Sequence, residues 1–225
     1  TNGPGGSGGT VRLEREAPEF TEGSRLTGSY HVGASSNGME GGAELSYDLG
    51  NGFYVEGGAE YKTADDYKDG AGRSVRSAFT QKSTGLTFGY KKDGIDLALD
   101  IEQDSAEDVL YAGAGMDSPY SDTTTLRLRG GVDLDMGALK RVEGTLYVSN
   151  VDHLMDNYSL RPNPSMMVMA SPTTSDTHGG NIEAQFQFGK TTARIGIDQT
   201  SDDEGNHLHI SRLVALHAWA EGIEE

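Results

Sequence analysis

The 225-residue chain contains no cysteine and one tryptophan, and only 18 lysines and arginines stand against 35 aspartates and glutamates. The lack of cysteine excludes a disulfide scaffold, a thiolate-bound zinc and thiol catalysis. A net charge of −17 argues against nucleic-acid binding, which needs a basic face, and it suits cationic partners and high solubility equally. No run of about 18 apolar residues forms a transmembrane helix. No secretory leader opens the chain, whose abrupt start suggests a fragment or a processed product.

The strongest pattern that is present is an alternation of apolar and polar side chains with period two. In residues 94–102, for example, isoleucine and leucine alternate with aspartate, alanine and glutamate. Such alternation predicts a β-strand with one apolar and one polar face. Most of the segments have 8 to 12 residues, longer than the usual strand of about five or six. We predict nine strands, at 24–33, 39–49, 53–62, 84–91, 94–102, 123–134, 139–150, 177–188 and 190–199.

The connections between these strands alternate in length after the first one. Asn-Gly and Asp-Gly pairs mark tight hairpin turns at one end of the sheet, and loops of about twenty residues, uncommon in compact soluble domains, are predicted at the other end. The connection at 34–38 is the exception, because it is short where a long one is expected. Tight turns are predicted at 50–52, 92–94, 135–138 and 189, and long loops at 63–83, 103–122 and 151–176.

Long two-faced strands, tight turns at one end and long loops at the other are typical of an outer-membrane β-barrel. The fold predicted is therefore all-β, a partial up-and-down antiparallel transmembrane β-barrel; a water-soluble antiparallel sandwich would show the same alternation. The polar face would line the lumen with Glu44, Glu56, Glu60, Asp96, Arg127, Arg129 and Arg194. Aromatic residues near strand ends would form interface girdles: Tyr30, Tyr47, Phe53, Tyr61, Tyr90, Phe186 and Phe188.

Nine strands are an odd number, whereas bacterial barrels close with an even one, so we expect the chain to hold part of a barrel. Residues 24–201 are predicted to be its N-terminal part. Residues 202–225 lose the alternation and form an off-pattern tail; an artificial end, a changed reading frame and a genuine divergent end are all compatible with it.

The first residues, GPGGSGGTVRL at 3–13, resemble the end of the plug domain in TonB-dependent receptors. There a glycine-rich bend leads into the last plug strand, here residues 11–16, and then a linker, here residues 17–23. A tight bend inside a filled lumen favours glycine. A phosphate-binding loop is disfavoured, because no lysine follows and no helix begins after the glycines. The resemblance implies that residues 1–23 are the end of a plug and its linker.

Within that superfamily the chain is similar to the TonB-dependent copper receptors. The matching stretches are DVLYAGAGMDSP at 108–119, NVDHLMDNYSLR at 150–161 and SMMVMA at 165–170. The resemblance, which spans about residues 3–201, implies copper uptake across the outer membrane, with the TonB energy-coupling complex, outer-membrane lipid and a metal ion or metal chelate as partners. A full member also carries a signal peptide, a TonB-contacting segment, the plug body and about twenty-two strands.

Five of the seven methionines fall in two of the predicted long loops, and thioethers are soft ligands that favour Cu(I). His153 is two residues from Met155 and could share a metal with it, and His178 could join from the next strand. The alternative is that the methionines are adaptable packing between loops. The candidate metal ligands are Met155, His153, Met166, Met167, Met169, Met116 and His178, with copper as the transported ligand and no catalytic cofactor.

The remaining histidines and methionines and the acidic clusters are not assigned to the metal site. His31 is expected to face lumen water, Met39 and Met136 to be structural, and His207 and His209 to lie in the tail. The acidic clusters at 65–69 and 202–204 match no EF-hand spacing, so they are expected to be solvated charges. No G-x-S-x-G nucleophile motif is present, and no enzymatic activity is expected.

Two other functions remain open at this point. A siderophore or corrinoid receptor of the same superfamily would hold its ligand with aromatic and arginine side chains of the outer loops, which here include Tyr67, Arg73, Arg76, Phe79, Tyr111, Tyr120, Tyr158 and Arg161. A passive porin or a structural barrel is a function of another class.

Overall fold

The computed structural model describes residues 16–162 and 167–202, which form eleven β-strands and no helix. All nine predicted strands are confirmed, and two short strands appear inside the first long connection. The strands are β1 (Leu26–Ala34), β2 (Gly38–Gly50), β3 (Phe53–Ala64), β4 (Tyr67–Lys68), β5 (Ser74–Val75), β6 (Phe79–Lys92), β7 (Ile95–Val109), β8 (Asp117–Met136), β9 (Leu139–Asp156), β10 (Ala170–Phe188) and β11 (Thr191–Asp202).

Nine of the strands form one antiparallel sheet in which each strand pairs with its neighbour along the chain, in the order β1-β2-β3-β6-β7-β8-β9-β10-β11. The short strands β4 and β5 pair with each other as a separate hairpin between β3 and β6. This connectivity is up-and-down throughout, so the predicted all-β partial barrel is confirmed.

The tight turns lie where the dipeptides predicted them. Asn51 and Asp93 adopt left-handed backbone conformations, with φ of 56° and 53°, and each is followed by a glycine. Asparagine and aspartate tolerate this region better than other residues with a side chain. The carboxylate of Asp48 accepts a hydrogen bond from the Gly50 amide at 2.7 Å, which closes the β2–β3 turn. One end of the sheet is thereby kept short.

At the opposite end, which we call the outer end, the predicted loop boundaries are wrong. The strands continue well into the segments predicted to be loops, and the connections shorten to 65–78, 110–116 and 157–169. His153 and Met155 consequently lie in β9, and His178 lies in β10 well past its first residue. The physical reason is that the strands there carry Ser, Thr and Asp on both faces, so the hydrophobic alternation stops although strand pairing does not.

Burial across the sheet is the reverse of that in a water-soluble protein. Among the described residues, the buried side chains are mostly polar, whereas leucines, isoleucines and valines stand exposed on the other face. Leu128 is 42% exposed, although it lies in the middle of its strand. A sandwich would bury that face against a second sheet. An exposed apolar band on long strands instead fits contact with hydrocarbon.

The strand register aligns both faces into rows. One apolar row runs Val55, Phe88, Leu99, Leu128 and Leu146 across five strands. The adjoining polar row, on the opposite face, contains Glu56, Thr87, Asp100, Arg127 and Tyr147.

Aromatic residues lie on the apolar face near its turn end. The Phe53 and Tyr90 rings pack with centroids 4.8 Å apart, and the Phe186 and Phe188 rings with centroids 6.3 Å apart. On the polar face, the ring of Tyr54 lies against Gly89, where an added Cβ would come within 2.0 Å of the Tyr54 Cζ. Glycine at position 89 therefore makes room for a buried tyrosine.

Several expectations concern residues outside the described ranges. Most of the proposed plug end lies there, including residues 11–15 of the predicted plug strand, and so do Met166, His207, His209 and the rest of residues 203–225. Asp202, which the sequence placed in the tail, is the last residue of β11. The described residues contain no helix that is long and apolar enough to cross a membrane.

We predict that Leu128→Lys destabilises the barrel in lipid by about 2–4 kcal/mol, because it places a charge in hydrocarbon. Urea titration of the complete protein in lipid vesicles measures this change. The control is Thr177→Lys, which adds the same charge on the polar face opposite Asp202 and should leave the midpoint nearly unchanged. Equal midpoints for Leu128→Lys and the parent protein would contradict a lipid-facing surface.

Candidate functional site

On the polar face, buried charged side chains are paired with side chains of neighbouring strands. The Asp100 carboxylate on β7 is fully buried; it accepts hydrogen bonds from Thr87 Oγ1 on β6 at 2.8 Å and from Arg129 Nε on β8 at 2.9 Å. Charge-assisted hydrogen bonds of this kind are about twice as strong as neutral ones. The network therefore joins three adjacent strands through one carboxylate.

A second cluster lies nearer the tight turns and is centred on Arg141 of β9. Its guanidinium donates to Asp133 at 2.7 Å, to Glu143 at 3.0 Å and also to Asp96. One cation thus binds carboxylates from three strands. Arginine suits this role because its five N–H groups point in fixed directions.

The polar face of β1–β3, β6 and β7 carries a groove of about 390 Å³. Five carboxylates line this acidic groove: Glu44, Glu56, Glu60, Glu102 and Asp104. His31 also lines it, as expected for a histidine that faces the lumen. A concave surface with so many negative charges attracts cations and repels anions.

At the outer end, Asp117 ties three connections together. Its side chain is 0% exposed and accepts hydrogen bonds from Arg161 Nε at 2.8 Å, from the Tyr111 amide at 3.0 Å and from Arg76. Arg76 also donates to the Leu160 carbonyl at 3.0 Å. The donors belong to the segments 65–78, 110–116 and 157–169, so one carboxylate holds all three connections. We call this set of contacts the Asp117 junction.

Asp117 lies beyond the apolar band of β8 and stays ionised. Burial alone would raise the pKa of Asp117, but the hydrogen bonds from Arg161, the Tyr111 amide and Arg76 outweigh burial and hold the pKa at about 2. Its strand partner Asp156 is also buried, and its pKa is lowered because hydrogen bonds from Ser159 and the Tyr158 amide outweigh burial. Two buried carboxylates therefore face each other across β8 and β9, each with its own donors.

The candidate metal ligands fall into two groups. His153 and Met155 are two residues apart on β9, so both side chains project from the polar face, and both are partly buried. His178 does not join them. It pairs with Val148 in the row that contains Leu126 and Ile101, and its exposed side chain lies on the apolar face.

Met167 and Met169 are held by a single side chain, that of Asn157. Asn157 Nδ2 donates to the Met167 carbonyl at 3.0 Å, and Asn157 Oδ1 accepts from the Met169 amide at 2.9 Å. The Asn157 amide also donates to the Met169 carbonyl at 3.2 Å, which continues the β9–β10 pairing by one step. Both methionines are exposed, at 64% and 45%.

This pairing brings Met169 close to Met155. Ser171 is the strand partner of Met155, and Met169 is two residues earlier, opposite Asn157. Diagonal positions on an antiparallel pair are about 7–8 Å apart and within reach of long side chains. Two of the predicted ligands on separate strands are therefore neighbours at the outer end.

Met116 is placed at the same end by the Asp117 junction. It directly precedes Asp117, whose strand partner Asp156 directly follows Met155. Met39 and Met136, expected to be structural, are exposed at β2 and at the end of β8, respectively. The structure thus gathers Met116, Met155 and Met169 near the outer end of β8–β10.

The sequence did not single out the residues that organise this end. Asp117 and Asn157 both lie inside the stretches 108–119 and 150–161 that carry the copper-receptor resemblance. Their structural role left no periodic signal, because their partners are distant in the chain or are backbone atoms. Within the described ranges, no group of three or more His, Asp and Glu side chains is arranged to hold a metal.

We predict that Asn157→Ala frees the Met167–Met169 segment. The loss of one hydrogen bond to the Met169 amide costs about 1 kcal/mol, which should speed hydrogen exchange at that amide about fivefold. Asn150→Ala, in the same strand but bonded to Asp176, is the control and should leave exchange at Met169 unchanged. Unchanged exchange in Asn157→Ala would show that the side chain does not hold the segment.

Comparison with known proteins finds a similar solved structure. No family model and no curated protein matches the chain. Among solved structures, the fold is similar to that of the copper transporter OprC, with a TM-score of 0.74 and 29% identity over 84% of this chain. The match covers 30% of the transporter's chain, so the present chain spans less than a third of the transporter's length. The chain is thus similar in sequence and fold to part of the copper transporter OprC.

Proposed function

We propose that the chain is part of a TonB-dependent outer-membrane receptor that takes up copper. The observation that carries this proposal is the placement of His153 and Met155 on the polar face of β9, with Met169 at the diagonal position. The similarity to the copper transporter OprC supports it independently. The residues proposed to bind copper are Met155, His153, Met169, Met167 and Met116, with Met166 as a further candidate outside the described ranges.

The chemistry of these ligands suits a transported ion rather than a resident one. Neutral thioethers bind soft Cu(I), and imidazole also accepts Cu(II), so a mixed site tolerates either oxidation state. Copper captured outside the cell has to be released inward, and a few neutral ligands exchange more readily than thiolates, which this chain lacks. The ion is a substrate here and supplies no catalytic chemistry.

The electrostatics of the polar face support a cationic substrate. The acidic groove lies on the same face of the sheet as His153 and Met155. Its five carboxylates favour cations over anions along this wall. Electrostatic attraction of this kind does not select copper, so the selectivity is assigned to the methionines.

A siderophore or corrinoid receptor receives less support from the arrangement of arginines. Arg76 and Arg161 bind Asp117, and Arg73 forms an ion pair with Asp69 at 2.8 Å. These arginines of the outer connections already have carboxylate partners, whereas an anionic chelate needs available cations. Tyr111 and Tyr158 are exposed and remain the contacts that such a ligand would use.

The proposal also assigns partners and a location. The exposed apolar band would contact outer-membrane lipid, and the TonB energy-coupling complex would act through parts of the receptor beyond this chain. A plug ending within residues 1–23 would distinguish a gated receptor from a passive porin.

We predict that Met155→Ala in the complete receptor weakens copper uptake while the barrel still assembles, because one soft ligand is removed. The measurement is copper uptake by cells with matched amounts of each variant in the outer membrane. Met39→Ala and His178→Ala are the controls: the first removes a thioether far from the site, and the second removes an imidazole from the opposite face. Uptake equal to the parent in Met155→Ala would return Met155 to a packing role.

We also predict that the outer end faces the cell exterior. Ala71, exposed at the tip of the β4–β5 hairpin, is the labelling position at the outer end, and Asn51 is the one at the tight-turn end. In intact cells that make the complete receptor, Ala71→Cys should react with an impermeant maleimide and Asn51→Cys should not. Labelling at Asn51 and not at Ala71 would reverse the orientation.

A further inference from the structure

The Asp117 junction is built from parts that lie far apart in the chain. Arg161 approaches the Asp117 carboxylate with its Nε and Nη2 groups, one on each oxygen, which is the two-pronged geometry that makes Arg–carboxylate pairs strong. A third guanidinium nitrogen of Arg161, Nη1, donates to the Ala114 carbonyl at 2.9 Å. A single side chain thus fastens the segment 157–169 to the segment 110–116.

The junction also fixes where the methionines stand. Met116 is covalently next to Asp117, and Arg161 lies in the connection that carries Met167 and Met169. Asp156, the strand partner of Asp117, adjoins Met155. Strand pairing and Asn157 already set the spacing of Met155 and Met169. If the junction opened, Met116 would be connected to that pair only through the strands beneath it, and its position relative to the pair would no longer be set.

The Asp117 junction is more deeply buried than the Arg73–Asp69 ion pair of the outer connections. Arg73 and Asp69 form an ion pair of similar length, but the Arg73 side chain is 81% exposed and both residues belong to the same hairpin. Exposed pairs of this kind contribute little to stability. Asp117 is fully buried and binds two partly buried arginines, so its loss leaves both cations without their carboxylate partner.

We propose that Asp117 is a positioning residue of the methionine site: it holds the three outer connections so that Met116, Met155 and Met169 are preset for metal capture. The inference rests on the proposed copper function and adds a structural requirement to it. Asp117 itself does not touch the metal. Its contribution is to the affinity of capture, not to the later steps of transport.

The test is the dependence of uptake rate on copper concentration, in cells carrying the complete receptor at matched levels. Asp117→Asn keeps the shape of the side chain and removes its charge. We expect the half-saturating copper concentration to rise about tenfold, as is usual when a residue that orients metal ligands is lost, and the maximal rate to stay at the parental value. Arg161→Lys keeps the charge but loses the two-pronged contact, so it should also raise the half-saturating copper concentration.

The double variant Asp117→Asn/Arg161→Lys should raise the half-saturating concentration no further than Asp117→Asn alone, because both changes break the same Asp117–Arg161 contact. Arg73→Gln removes an exposed ion pair of the same region and should leave both kinetic parameters unchanged. If Asp117→Asn fails to reach the outer membrane, Arg161→Lys decides the question by the same criterion. A parental half-saturation, or a loss of maximal rate alone, overturns the proposal.

Met155→Ala, measured in parallel, separates this inference from the proposed function. A raised half-saturation in Met155→Ala with a parental value in Asp117→Asn refutes the positioning role only. Parental values in both variants refute the copper site and the positioning role together.

Discussion

The hydrogen bonds of Asp100 to Thr87 and Arg129 define the constraint on which the rest of the sheet depends. A carboxylate buried on the polar face needs donors from both adjacent strands, and these donors reach it in one register only. A slip of β7 by one residue would carry Asp100 to the apolar face and Ile101 to the polar one. The same requirement recurs at Arg141. The ion pairs on the polar face and the apolar rows on the other face therefore specify the same strand register. Stability here comes from a polar interior enclosed by an apolar exterior.

The outer end extends this principle beyond the apolar band, where no lipid helps to define which face is which. Asp117 and Asp156 are buried there by the connections themselves, and arginine and serine side chains and backbone amides satisfy them. The result is an ordered surface next to His153 and Met155. Arg76 and Arg161 are used for this purpose, because both bind the Asp117 carboxylate. Thioethers, imidazole and phenols at this end remain to meet a ligand.

The parts of the structure that were predictable from sequence are those that obey a period. The alternation in 94–102 located the first part of β7, and Gly50-Asn51-Gly52 located the β2–β3 turn, because both signals are local. The outer strand ends were not predictable, since Thr173 and Asp176 on β10 are polar on both faces and the alternation is lost. The joining of 108–119 to 150–161 could not be derived from either stretch, because Asp117 and Arg161 are 44 residues apart. The gathering of Met155 and Met169 depends on the Asn157 side chain, which replaces a backbone partner and leaves no pattern.

The Asp117 junction limits how the outer connections can change over evolutionary time. A residue inserted between Tyr111 and Asp117, or between Asp156 and Arg161, shifts one partner relative to the others, so lengths in two hairpins can vary only together with compensating changes. The β4–β5 hairpin is free of this restriction, because its tip at 69–72 is exposed and makes its hydrogen bonds within itself. Insertions, deletions and antigenic variation in relatives are therefore expected to concentrate in that hairpin, while the two stretches bearing Asp117 and Arg161 keep their lengths.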